Sequence, residues 1–219
     1  MGMLEPLITL LSGNILPLLV FIPLFASPVA YIIGRRSARG SMIFTVAVTV
    51  LTFIMSLLLV FEFDVNASDF QFRSFFPWEP AFGLNFIQGL DGISLAMLIL
   101  ATRVVMVAAM SSTHIEVGQG SYFASLLLVE VGLIGVFTSL DLILFFVFWE
   151  IVLIPMFFLI GRWGEEGKTY AAIKFFMFTF LASLPLLLSV FAFYFYSGTF
   201  DMRQIIATNP IPFGAVGDL

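Results

Sequence analysis

The 219-residue chain contains no cysteine and a single histidine, His114. Without cysteine there is neither a thiolate metal site nor a disulfide framework. One histidine cannot build a haem or zinc centre alone, so any redox chemistry linked to this chain must take place elsewhere. Charge is scarce as well. Charged residues make up 11% of the chain, where a soluble domain carries about 25%. No phosphate-binding loop, dinucleotide fingerprint or nucleophile triad is present. The first residues, MGMLEPLITLLSG, lack the basic region of a cleavable signal peptide and are expected to remain as a membrane segment.

What the chain has in abundance is apolar surface. Hydrophobic residues make up 61%, with 28 phenylalanines, and the mean hydropathy is +1.11. The apolar runs are continuous, without the period-two alternation of a barrel, so helices are expected. Six spans are expected, at about 8–33, 42–61, 91–110, 122–137, 140–161 and 170–196. Each is near the ~20 residues that cross the hydrocarbon layer as a helix. The fold class is an all-α polytopic membrane protein, one membrane domain over 1–219. Residues 62–86 read as a polar, acidic connection. Residues 197–219 read as a tail with one short surface turn at most.

Short loops set the orientation. Arg35, Arg36 and Arg39 follow the first span, and Arg162 and Lys168 flank the turn after the fifth. Both loops fall on one side when six spans alternate, and the positive-inside rule makes that side cytoplasmic. The N-terminus, the 62–86 connection and the tail are then outside.

Two carboxylates interrupt the apolar runs. Glu150 lies near the middle of LDLILFFVFWEIVLIPMFFLIGRW, roughly 16 Å from either flank. An ionisable group at that depth is costly and marks a functional site by default. Glu130 is again central, in SYFASLLLVEVGLIGVF. The turn Thr138-Ser139-Leu140-Asp141 makes the fourth and fifth spans antiparallel neighbours. Both carboxylates then lie roughly 14 Å from the outer end. At one level on adjacent helices they could share a proton, as a relay requires. The alternative is a pair of protonated carboxyls that serve only helix association.

Lys174, in TYAAIKFFMF, either snorkels to the cytoplasmic surface or turns inward and acts on the carboxylates through water. Pro155 and Pro185 free the carbonyls of Ile151 and Leu181 from their helical hydrogen bonds. Each is either a packing kink or a place to hold water. Arg103 snorkels or pairs with a carboxylate. Asp91 and Asp141 are placed to cap the third and fifth spans. His114 falls in a cytoplasmic loop.

Two blocks carry a resemblance. PWEPAFGLNFIQGLDGISLAM (77–97) together with FTSLDLILFFVFWEIVLIPMFFLIGRWG (137–164) closely resembles the antiporter-like subunits of respiratory complex I, nearest the M-type (chain 4) branch. AAIKFFMFT, with Lys174, fits it too. The resemblance implies the N-terminal half of an antiporter-like fold. It implies that Glu150 couples to a buried lysine on a seventh span and that Glu130 matches a carboxylate of the fourth span; with Lys174, and with Pro155 and Pro185 in support, these are the candidate proton-relay residues. The family has about 14 spans, so the lysine and second half-channel lie outside these residues: the chain is half of a split subunit, with a second polypeptide carrying the missing helices, or the product of a broken reading frame, or a fragment. Where Arg103 and Met106 stand, the family usually has an uncharged residue and a proline.

The resemblance therefore implies a proton-translocating membrane-arm subunit of NADH:quinone oxidoreductase in a bacterial cytoplasmic membrane, beside other membrane-arm subunits. It implies no cofactor in this chain, with NADH, FMN, iron–sulfur clusters and quinone in partner subunits, and no nucleic acid. Other readings are a subunit of a multisubunit Na+/H+ antiporter, a membrane-bound hydrogenase or ferredoxin-fed relative, or a non-pumping scaffold.

Overall fold

A computed structural model describes residues 14–67, 69–79, 84–115 and 117–208. The start of the first expected span and the end of the tail lie outside the described residues. Among the described residues, six helices are long and apolar enough to cross a membrane: α1 Ile15–Gly34, α2 Ala38–Glu62, α3 Gly92–Ser111, α4 Gln119–Thr138, α5 Leu142–Trp163 and α6 Lys168–Ser197. A seventh, α7 Met202–Thr208, is a short turn of helix after α6. One 3-10 turn, Ser112–His114, extends α3.

The helix starts follow ordinary capping chemistry. Ser37 Oγ accepts from Gly40 N at 3.0 Å and opens α2. Asp91 Oδ1 accepts from Ser94 N at 2.7 Å and opens α3. Asp141 Oδ1 accepts from Ile143 N at 2.9 Å and Leu144 N at 3.1 Å and opens α5. Both aspartates do what their positions in the sequence indicate.

The 62–86 connection is more ordered than its composition indicates. It contains an antiparallel hairpin, β1 Gln71–Glu79 with β2 Leu84–Leu90, in which Phe75 pairs Ile87 and Phe76 pairs Phe86. Bulges interrupt the register near both ends of β1. The end of β2 is buried under the bundle. Leu140 N donates to Ile87 O at 2.8 Å, and Gln88 Nε2 donates to Thr138 Oγ1 at 2.8 Å. The hairpin is thereby fastened to the α4–α5 turn. The chain after α6 joins the same knot, since Met202 N donates to Leu140 O and Leu142 N donates to Phe200 O.

Helix α4 is the centre of the bundle and packs against α1, α2, α3 and α5, whereas α6 rests mainly on α5. The α1–α4 approach needs glycine on both sides. A Cβ on Gly34 would stand 2.2 Å from the Gly120 Cα. The largest apolar cluster fills the hairpin end, where Leu16, Leu19, Leu59, Leu90, Leu95, Leu98, Ile134 and Phe148 meet. The opposite end carries Arg35, Arg36, Arg39, Arg162 and Lys168.

Candidate functional site

The α4–α5 seam is closed by two glycines. A Cβ on Gly135 would fall 2.1 Å from the Phe148 ring, and one on Gly132 would fall 2.3 Å from Val152 Cγ2. This contact fixes where the two carboxylates point. Glu130 lies roughly 140–160° around α4 from the glycines that face α5. Phe148 and Val152 flank Glu150 by two residues on either side, so Glu150 also faces about 160° away from the seam. The expected level match stands, with each carboxylate near the middle of its helix. The expected proximity does not follow, because the two side chains occupy opposite flanks of the α4–α5 pair.

Glu130 turns toward α2. It is fully buried, and the hydroxyl of Thr52 donates to its Oε1. Its Oε2 is buried without a hydrogen-bond partner. Thr52 belongs to a row of hydroxyls. Ser41, Thr45, Thr49, Thr52 and Ser56 are all fully buried. With Val48 and Leu59 they make up the buried face of α2. Ser56 Oγ lies 2.9 Å from Thr102 Oγ1 of α3. Residues spaced four, four, three and four apart fall on one helical stripe. The sequence TVAVTVLTFIMS carries most of that spacing, but Ser and Thr are easily passed over in an apolar span.

Glu150 lies on the stripe of α5 that meets α6 further along the helix. It shares a stripe of α5 with Phe157 and Gly161, which meet Phe176 and Ala172 of α6. The two rings are 5.6 Å apart, and a Cβ on Gly161 would lie 3.3 Å from the Ala172 Cβ. Continuing this antiparallel register brings Glu150 to the level of Ser183, a buried residue of α6. Glu150 is half-buried, and its Oε1 is sealed from solvent without a hydrogen-bond partner. The carbonyls of Ile151 and Leu181, freed by Pro155 and Pro185, belong to the same level of the same two helices. Pro155 is buried and Pro185 exposed.

Lys174 stands apart from both carboxylates. It is exposed, with Nζ 5.7 Å from the centre of the Tyr170 ring, on the side of α6 opposite the Ala172–Phe176–Ser183 stripe. Arg103 is exposed on α3. His114 is exposed beside Ser111 O. Among the described residues no group of three or more His, Cys, Asp or Glu is placed to hold a metal.

The NADH:quinone oxidoreductase/Mrp antiporter membrane family matches residues 139–216, a stretch that includes Glu150, Lys174 and both prolines. NADH-quinone oxidoreductase subunit M of Rhodobacter capsulatus is 38% identical over 198 residues, covering 89% of this chain and 38% of that protein. NADH-ubiquinone oxidoreductase chain 4 of Marchantia polymorpha is 35% identical, covering 94% of this chain and 41% of that protein. The chain thus spans about two fifths of the length of these relatives. In the structure of respiratory complex I from Thermus thermophilus with bound NADH, one chain superposes with a TM-score of 0.73 at 28% identity. That match covers 88% of this chain and 39% of the other. With six apolar helices of spanning length among its described residues, the chain is an integral membrane protein, and along most of its residues it is similar to the antiporter-like M-type (chain 4) subunits.

Proposed function

We propose that the chain forms part of a proton-translocating membrane-arm subunit of an NADH:quinone oxidoreductase, with Glu150 as its principal proton-exchanging group. The observation that carries the reading is the environment of Glu150. Its Oε1 is buried without a hydrogen-bond partner near the middle of α5, five residues before Pro155. A carboxylate kept at such a position is expensive unless its charge state is used.

In this reading Glu150 takes up and releases a proton as the charge around it changes, and Glu130 is a second exchanging group on the α2 side of α4. The two communicate through α4 and α5 rather than by a direct hydrogen bond. Lys174 modulates them only by changing rotamer or by acting on a neighbouring helix. Pro155 and Pro185 hold carbonyls open for water at the Glu150 level. The counter-charge of Glu150 belongs to helices that the relatives have beyond the matched stretch, on this or a second polypeptide. NADH, FMN, iron–sulfur clusters and quinone belong to partner subunits. The arginine-bearing end faces the cytoplasm of a bacterial cell and the hairpin end faces outward.

The decisive experiment is Glu150→Gln in membranes holding the assembled complex. Proton uptake linked to NADH oxidation should be lost while assembly persists. Normal pumping stoichiometry in the variant would rule out the role of Glu150. A second reading, a subunit of a multisubunit Na+/H+ antiporter, draws on the dual description of the matching family. Co-purification with flavin- and iron–sulfur-bearing subunits favours the first reading, and sodium-driven proton exchange without them favours the second.

A further inference from the structure

We infer that the hydroxyl row of α2 is a one-sided proton path that connects the arginine-bearing end of the bundle to Glu130. The inference rests on Glu130 being a proton-exchanging carboxyl, as proposed above.

The row combines buried hydroxyls with polar atoms that have no partner. Five of the seven buried residues of α2 are Ser or Thr. Ser and Thr are small residues that let membrane helices approach closely, and each hydroxyl buried there must also find a partner. Most do so locally. Ser41 Oγ donates to Ala30 O at 2.8 Å, Thr49 Oγ1 to Val46 O at 3.1 Å, and Ser56 Oγ to Phe53 O at 2.7 Å. Two polar atoms do not. Thr45 Oγ1 and Glu130 Oε2 are both buried without a partner, on fully buried residues. One lies partway along the row and the other at its destination. Each has hydrogen-bonding capacity that no protein group fills.

The row is closed at one end. Beyond Ser56 the next buried position on the stripe is Leu59, packed with Leu16, Leu19, Leu95 and Leu98. Toward the other end it continues to Ser41, one turn from the Arg35–Arg39 loop. Successive hydroxyls on one helical stripe are about 5–6 Å apart, too far for a direct hydrogen bond and suited to single bridging waters.

The proton balance is simple. A proton enters from bulk water at the Ser41 end. Each hydroxyl accepts one proton from its bridging water and gives up its own to the next, ending unchanged. At Thr52 and Glu130 a new O–H bond forms on the carboxylate, and the reverse sequence returns the proton to the same side.

The test is the rate at which the Glu130 carboxyl exchanges with D2O. It is read from the isotope shift of its infrared C=O band and assigned by difference against Glu130→Gln in membranes holding the full-length protein. Thr45→Val and Thr49→Val remove hydroxyls without changing shape and should slow exchange at least about tenfold, a barrier increase near 1.4 kcal/mol. Thr45→Ser should restore the rate and thereby separate lost conduction from lost folding. Wild-type exchange in both valine variants overturns the path while leaving Glu130 in the relay. A Glu130 carboxyl that does not exchange in the unsubstituted protein overturns the path and removes Glu130 from the relay as well.

Discussion

The Thr52 hydroxyl donates to Glu130 Oε1 across the α2–α4 interface, and both residues are fully buried. This contact joins a helix that no motif singles out to a carboxylate that depth alone makes conspicuous. Thr52→Val should therefore be costly. It leaves both oxygens of a buried carboxyl without a protein partner, a loss of about 1–3 kcal/mol. Thr52→Ser keeps the donor and should remain within ~1 kcal/mol of the parent. Thermal unfolding of the lipid-reconstituted protein compares the two, and equal stability of the valine and serine variants would remove the hydrogen bond as a stabilising element.

Gly135 is the second structural dependence. With the Phe148 ring 2.1 Å from where its Cβ would stand, Gly135→Ala must push α5 away or force the ring from its rotamer. Overpacking of this kind costs about 1–3 kcal/mol. Adding Phe148→Leu should recover part of that loss, because the obstruction is the ring itself. A double variant no more stable than Gly135→Ala alone would show that another contact sets the helix spacing.

These two contacts also explain what the sequence could and could not convey. The spans are legible because continuous apolar runs of about 20 residues leave little alternative in lipid. The caps at Asp91 and Asp141 are legible because an acidic residue directly before such a run has one evident use. Depth is legible for Glu130 and Glu150 because the turn between them is only a few residues long. Azimuth is not. It is decided by Gly132 and Gly135 against Phe148 and Val152, and these turn the carboxylates outward on opposite sides. The hairpin is obscured by the acidic residues that precede it, Glu62, Asp64 and Asp69, and by Pro77, which read as a connection. It forms because its aromatic and branched side chains pair across strands and the end of β2 is buried. Of the site, Glu130 and Glu150 were visible as charges out of place, whereas Thr52 and its neighbouring hydroxyls were lost among apolar residues.

The α5–α6 register gives a third prediction. If Phe157 meets Phe176 and Gly161 meets Ala172, the partner level of Glu150 is Ser183. The double variant Glu150→Cys with Ser183→Cys should react efficiently with a short bifunctional thiol reagent in membranes. Glu150→Cys with Lys174→Cys should not, because residue 174 is nine positions from 183 in the chain, roughly 13 Å along the helix and on its other side. Efficient coupling of the 150–174 pair would mean that α6 is rotated from the arrangement described, and would restore Lys174 as a direct partner of Glu150.

The last prediction concerns the knot at the hairpin end. Asp141 accepts hydrogen bonds from the second and third backbone N–H groups of α5, Ile143 and Leu144. Its backbone also pairs with that of Asp201, which in turn holds Arg203 through Nε at 3.1 Å and Nη2 at 2.7 Å. Removing the cap with Asp141→Ala should cost about 0.5–2 kcal/mol, with asparagine much milder because its Oδ1 can still accept. The loss should be local. Amide hydrogen exchange should speed up in the first turn of α5 and around residues 200–203, which are tied to it through Leu140 and Leu142. Exchange in α2 and α3 should stay at the parent rate, since neither helix hydrogen-bonds to Asp141. Faster exchange throughout the bundle would instead make this end the point from which the whole fold opens.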